Sequence, residues 1–159
     1  MQLHVKWNKP LHLQDGADQN LIYSVDVEKI PDAIGVYIFG RHWGSRFEAL
    51  YVGKGSKLRR RVKGQFKNLP LMLHISKANA GKRIILAGIL VTKSGRPMKT
   101  GSHSAKALRL MERALIRYFL SNGDDLVNKQ GTRLRQHELT SSGKHPRRFV
   151  PSPIYLERA

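Results

Sequence analysis

The chain has 159 residues, an apolar share of 40%, no cysteine and a formal net charge of +18. A chain of this length fits one domain that buries roughly 70% of the surface its unfolded form exposes, and the lack of cysteine excludes disulfides, thiolate metal sites and thiol catalysis. The longest apolar run, Ile84 to Val91, is eight residues, far short of the ~20 that a membrane-spanning helix needs, and the N-terminus shows no apolar signal core, so a soluble, cytoplasmic protein with no membrane partner is expected.

Lys and Arg number 29 against 11 Asp and Glu. From Ala49 to Met111 there are fifteen basic residues and no acidic one. A charge so far from zero repels itself and calls for an anionic partner. Nucleic acid leads, because phosphate contacts by Lys and Arg supply most non-specific affinity. The competing reading is a merely solubilising or ribosome-associated basic surface.

In chain order, Leu21 to Glu28 alternates apolar with mostly polar residues, the period of a half-buried strand, and Pro31-Asp32 ends it. Gly35 to Phe39 and Ala49 to Gly53 are short β-rich runs. The polar, Gly-containing connector 40–46 suits a hairpin between them. Ser56 occupies an N-cap position before a helix over Lys57 to Phe66, with Leu58, Val62 and Phe66 as its buried stripe. Arg61 and Gln65 lie at the edge of that stripe, and Arg59, Arg60 and Lys63 point elsewhere. Arg83 to Thr92 reads as a fully buried central strand, and Lys93 to Ser104 as a mobile basic loop. A second helix runs from about Ala105 to Leu120, with Leu108, Met111, Leu115 and Phe119 on its apolar face. Residues 1–139, including an N-terminal extension, form the expected single domain. Residues 140–159, with Pro146, Pro151 and Pro153, form an extended basic arm.

Glu112 stands out on this second helix. A carboxylate on an apolar face needs a partner or a metal to offset its desolvation, and Glu112 is the first acid after sixty-three acid-free positions. A hard cation such as Mg²⁺ can be held by one carboxylate together with waters and substrate phosphates. The isolation of Glu112 argues against a two-metal cluster. The plainer alternative is a salt bridge to one of the many arginines. The histidines show no i, i+4 pair, so no zinc site is expected.

Two tripeptides, Gly35-Val36-Tyr37 and Tyr51-Val52-Gly53, are separated by thirteen residues. The second continues as Lys54-Gly55-Ser56-Lys57-Leu58-Arg59-Arg60-Arg61-Val62. Together these segments resemble the GIY-YIG nuclease family, over a stretch from Gly35 to Asn128 that covers about three-fifths of the chain. The resemblance implies a compact α/β (α+β) domain with a small, largely antiparallel sheet flanked by helices. It implies Arg61 as the catalytic arginine, Glu112 as the metal-binding glutamate, Tyr37 and Tyr51 as active-site hydroxyls, and Asn128 as a residue that orients the site or contacts phosphate. The implied reaction is Mg²⁺- or Mn²⁺-dependent endonucleolytic hydrolysis leaving a 5′-phosphate, with double-stranded DNA as the expected substrate.

The residues suit that chemistry. Arg61 offers a planar, permanently charged fork for non-bridging phosphate oxygens. A tyrosine, with an ordinary pKa near ~10, needs neighbouring positive charge to act as a base, for which Lys54 and Arg61 are at hand. Tyr37 is the expected base, since the resemblance favours the first tripeptide. Lys54, Lys57, Arg59, Arg60 and Lys63 are the expected nucleic-acid contacts.

The gap between the tripeptides is longer than is common in the family. Gln65 stands four residues after the arginine, where some members have histidine or tyrosine. A non-catalytic or RNA-directed nucleic-acid-binding protein on the same fold is the alternative. Oligomeric state is left open, with a dimer one route to specificity.

Overall fold

A computed structural model describes residues 2–127 together with 137–139, Gly143 and 154–156. The main sheet is built on a hairpin. Strand β5 (Gly35–Trp43) and strand β6 (Arg46–Gly55) pair antiparallel, with Tyr37 opposite Gly53 and Phe39 opposite Tyr51. The polar connector is shorter than its composition implies. Both strands run into it, and the reversal is confined to Gly44 (φ +58°) and Ser45. Arg41 allows this extension although it is buried. It donates to Glu48 at 2.9 Å and to the Ala80 carbonyl at 2.6 Å, and its guanidinium stacks 3.9 Å from the Trp43 ring centre.

On the other side of β5 lies β7 (Lys82–Val91), again antiparallel, so this run is a central strand as its composition predicts. Strands β1 (His4–Trp7) and β2 (Leu11–His12), which the sequence analysis does not assign, both pair antiparallel with β7. The order is β1-β7-β5-β6. Gly35 faces Gly88 across β5 and β7 so closely that a β-carbon at Gly35 would collide with the Gly88 carbonyl.

Helices cover both faces, which is why β5 and β7 read as nearly continuous apolar runs although the sheet is antiparallel. Helices α1 (Leu58–Gln65) and α2 (Leu69–Lys77) take one face, where Leu58, Val62, Leu71, Met72 and Ile75 pack on Tyr37, Phe39 and Ile85. Helix α3 (Ser102–Ser121) takes the other. Its Ala107, Leu108 and Met111 meet Val36 and Leu90, and its Ile116 and Leu120 meet Ile38 and Val52. The mixed α+β character and antiparallel sheet agree with the expected fold class.

Several local expectations change. The alternating stretch Leu21 to Glu28 yields only a two-residue strand, β4 (Tyr23–Ser24), paired with β3 (Gln14–Asp15). Asp26 then accepts from the Glu28 amide and turns Val27–Lys29 into a 3-10 helix, ending the extended run. Ser56 does not cap α1. The cap residue is Lys57, without a side-chain bond, and the Leu58 amide is satisfied by the Ala33 carbonyl at 3.0 Å.

The segment read as a mobile loop folds back on β7. Met98 donates to the Leu90 carbonyl at 2.9 Å, Pro97 bridges to Val91, and α3 starts at Ser102. After α3 the chain runs along the outer edge of β6. There the Asp124 carboxylate accepts from the Ala49 amide and the Val127 amide donates to the Leu50 carbonyl, both at 2.9 Å. Within the expected arm, β9 (Ile154–Leu156) pairs antiparallel with β8 (His137–Leu139).

Candidate active site

The hairpin and α1 converge on the two tyrosines of the tripeptides. Tyr37 and Tyr51 project from the same face of β5 and β6 with ring centres 5.9 Å apart. Tyr37 is fully buried. Its ring and hydroxyl lie over Gly53, where any β-carbon would collide with them, so the glycine of the second tripeptide makes room for the tyrosine of the first. Gln65, buried in the last turn of α1, ties the pair together. Its Nε2 donates to the Tyr37 hydroxyl at 2.6 Å and to the Tyr51 hydroxyl at 3.2 Å. The amide's orientation follows from Asn68, whose Nδ2 donates to Gln65 Oε1 at 3.1 Å. Asn68 also caps α2 by accepting from the Leu71 amide.

With both amide hydrogens spent on phenol oxygens, each hydroxyl keeps its own hydrogen for another acceptor. The two phenols nevertheless differ. Burial pushes the Tyr37 hydroxyl well above its ordinary pKa and the adjacent Tyr51 adds to this, while the Gln65 hydrogen bond and the Arg61 charge oppose it. Tyr51 is only partly buried and faces solvent. The Arg61 guanidinium sits against both phenols. Tyr37 foremost raises the arginine's pKa, desolvation works against that, and Tyr51 reinforces it.

Above this layer opens a cleft of about 880 Å³. Tyr51, Arg61 and Gln65 line it, together with Lys54 and Glu112. Lys57, Arg60 and Lys67 line it as well. Lys54 on β6 forms an ion pair with Glu112 on α3. Glu48 and Glu28 are likewise committed, to Arg41 and to Arg59. Among the described residues the cleft therefore holds one carboxylate, already neutralised, and an excess of cations.

The expected site residues divide accordingly. Tyr51, Lys54, Lys57, Arg60, Arg61 and Glu112 line the cleft, with Tyr37 directly beneath Tyr51. Arg59 is not a cleft residue: its Nε donates to the Ile30 carbonyl at 2.9 Å and its guanidinium pairs with Glu28 at 3.5 Å. Lys63 is exposed on α1 away from the lining. Asn128 lies outside the described residues. Lys67, Asn68 and the bridging role of Gln65 are not anticipated from the sequence. The Asn68-Leu69-Pro70 signature, a cap followed by an early proline, could have revealed α2 and thereby Asn68.

Among the described residues no group of three or more His, Asp or Glu gathers that could hold a metal by protein ligands alone. The donor set suits a hard cation only as Mg²⁺ is bound in many phosphate sites, by one carboxylate with waters and substrate oxygens. Glu112 faces the cleft and fits that role once Lys54 shifts aside. No helix among the described residues is long and apolar enough to cross a membrane. Comparison with family models, curated proteins and solved structures returns no match.

Proposed function

We propose that the chain is a metal-dependent endonuclease of the GIY-YIG type, hydrolysing phosphodiester bonds in nucleic acid, with double-stranded DNA as substrate. The observation that carries this reading is the cleft in which Arg61, a Gln65-tethered tyrosine pair and Glu112 meet, lined besides by lysines and arginines. Phosphodiester hydrolysis needs a positioned water, neutralisation of the charge that grows on phosphate, and help for the leaving oxygen.

Arg61 answers the second need, with a planar fork that matches two non-bridging oxygens. In this reading the Tyr51 oxygen, which opens on the cleft and receives one hydrogen bond from Gln65, takes the proton of the attacking water as its own hydroxyl hydrogen passes to solvent in the cleft. The sequence reading favours Tyr37 for that role, but burial holds its proton. Tyr37 instead anchors Gln65 from below. Glu112 would hold Mg²⁺ or Mn²⁺, whose contribution is Lewis-acid compensation of phosphate charge. Lys57, Arg60 and Lys67 bind flanking phosphates.

Incubation with plasmid DNA, with Mg²⁺ and with EDTA, tests the reading. Cutting is expected with Mg²⁺ only, and its loss in Glu112→Ala is expected to leave DNA binding largely intact. Normal cutting by that variant sinks the metal assignment. One observation favours a second reading, a binding module without hydrolysis: Lys54 already satisfies the Glu112 carboxylate. Tight, salt-sensitive DNA binding with no cleavage under any divalent cation would establish it.

A further inference from the structure

The outer face of α3 carries charge that the cleft does not use. Lys106, Arg109, Arg113 and Arg117 are all exposed, and at about 100° per residue they fall within an arc of about 80° on the helix. Glu112 is the only acid on this helix, and Lys54 neutralises it. Among the described residues Lys106, Arg109 and Arg113 enter no ion pair. Like charges three and four residues apart destabilise a helix, so Lys106, Arg109 and Arg113 repel one another along α3, and a polyanion would relieve that repulsion. The stripe also adjoins the cleft. Arg109 lies one turn before Glu112 and Arg113 directly follows it, and Glu112 is itself a cleft residue.

We infer that this stripe is a second phosphate-binding track, seating the backbone of a nucleic acid that continues out of the cleft and over α3. The inference rests on the nucleic-acid reading of the cleft. Lys106 to Arg117 spans about 16 Å of helix axis at ~1.5 Å per residue. That is the axial length of about five nucleotides of one strand at ~3.4 Å each. Three of the four residues are arginines, whose forks suit phosphate. Continuity with the cleft through Glu112 favours a polynucleotide over a membrane surface. The substrate class is thus an extended duplex rather than a nucleotide or a short end.

The test is equilibrium binding by the full chain without added metal, over a range of salt. The probes are a fluorescent DNA duplex of about 24 base pairs and an oligonucleotide of about five nucleotides, compared through the salt slope of affinity. For the combined Lys106→Gln, Arg109→Gln, Arg113→Gln variant, the log–log slope is expected to flatten by about two to three units on the duplex and by less than one on the oligonucleotide. Circular dichroism checks folding, and Arg113→Gln alone, with an expected loss of about one unit on the duplex, serves if the combined variant is unfolded.

An unchanged slope on the duplex overturns the inference. So does a combined variant that keeps its DNA affinity but loses binding to phosphatidylserine vesicles. A Lys57→Gln, Arg60→Gln variant separates this inference from the reading it rests on. If its affinity is unchanged for both probes, the cleft reading fails, whereas losses on both probes leave the stripe to be judged by the duplex slope alone.

Discussion

The Gln65 Nε2 lies 2.6 Å from the Tyr37 hydroxyl at the cleft, joining the end of α1 to the middle of the sheet. Both groups are buried. Replacing Gln65 by Leu strands that hydroxyl without its donor. A buried polar group left unpaired costs about 1–3 kcal/mol, so Gln65→Leu is expected to lower unfolding stability in urea by that amount and to reduce cleavage. Undiminished stability would show that the bridge contributes nothing.

The three consecutive arginines are expected to behave differently. Arg61→Lys loses most activity, because an ammonium cannot make the planar two-point contact. Arg60→Lys, keeping one cation at the cleft wall, is mild. Arg59→Ala leaves binding and cleavage rates nearly untouched but lowers stability by about 1 kcal/mol, because it removes the hydrogen bond to the Ile30 carbonyl. Parallel rate and melting measurements on the three variants decide this, and equal rate losses at all three would reduce the helix to an electrostatic patch.

Tyr51→Phe is expected to slow single-turnover cleavage by roughly 10²–10⁴-fold, the usual worth of a positioned proton acceptor. Tyr37→Phe is expected to cost less in rate and to show itself in stability instead. The folded pKa of Tyr37 is raised by burial above an unfolded value near ~10. Its contribution is therefore fully present below about pH 10 and is lost as pH rises through the folded value. Wild-type stability should fall more steeply than that of Tyr37→Phe above about pH 10. A large rate loss at Tyr37 with none at Tyr51 would return the proton-accepting role to Tyr37.

Gly53→Ala places a methyl group where the Tyr37 ring and hydroxyl already lie. That ring is wedged between Phe39 and Tyr51 and has nowhere to go. Overpacking of this kind costs about 1–3 kcal/mol, and the displaced hydroxyl would lose its bond to Gln65. Lower melting temperature and slower cleavage are expected together. A variant of full stability and rate would mean that the second tripeptide does not need its glycine for this contact.

The hairpin, α1, β7 and α3 were legible because each carries its own periodicity and ends. Val62 and Phe66, or Leu108 and Met111, repeat at helical spacing within one short window, but the second half of the α3 face turns further than expected, burying Ile116 and Leu120 and leaving Leu115 and Phe119 only partly covered. Helix α2 was not. Its buried residues Leu71, Met72 and Ile75 sit beside exposed Leu69 and Leu73, which blurs the stripe, and its boundary depends on the Asn68 cap. Strands β1 and β2 are too short to show a period and exist because β7 offers them an edge.

Within the site, the motif residues are named through a family resemblance, which says nothing of their environments. Arg59 finds its partners near residue 30, and Tyr37 owes its raised pKa to helices that close over it. Both are contacts between distant parts of the chain. Glu112 was recognisable as an acid in need of a partner, yet nothing local pointed to Lys54, fifty-eight positions earlier.

The two hydrogen bonds that Asp124 and Val127 make to Ala49 and Leu50 also affect how copies of the chain can meet. An open strand edge is a template for another chain, the usual start of edge-to-edge association and aggregation. At Ala49 and Leu50 the backbone groups an incoming strand would need are already occupied by the protein's own chain. Beside them the cleft presents an excess of positive charge that repels an identical neighbour. Strand addition between copies is closed at this point of the sheet, even though the hairpin is among the most apolar segments of the molecule.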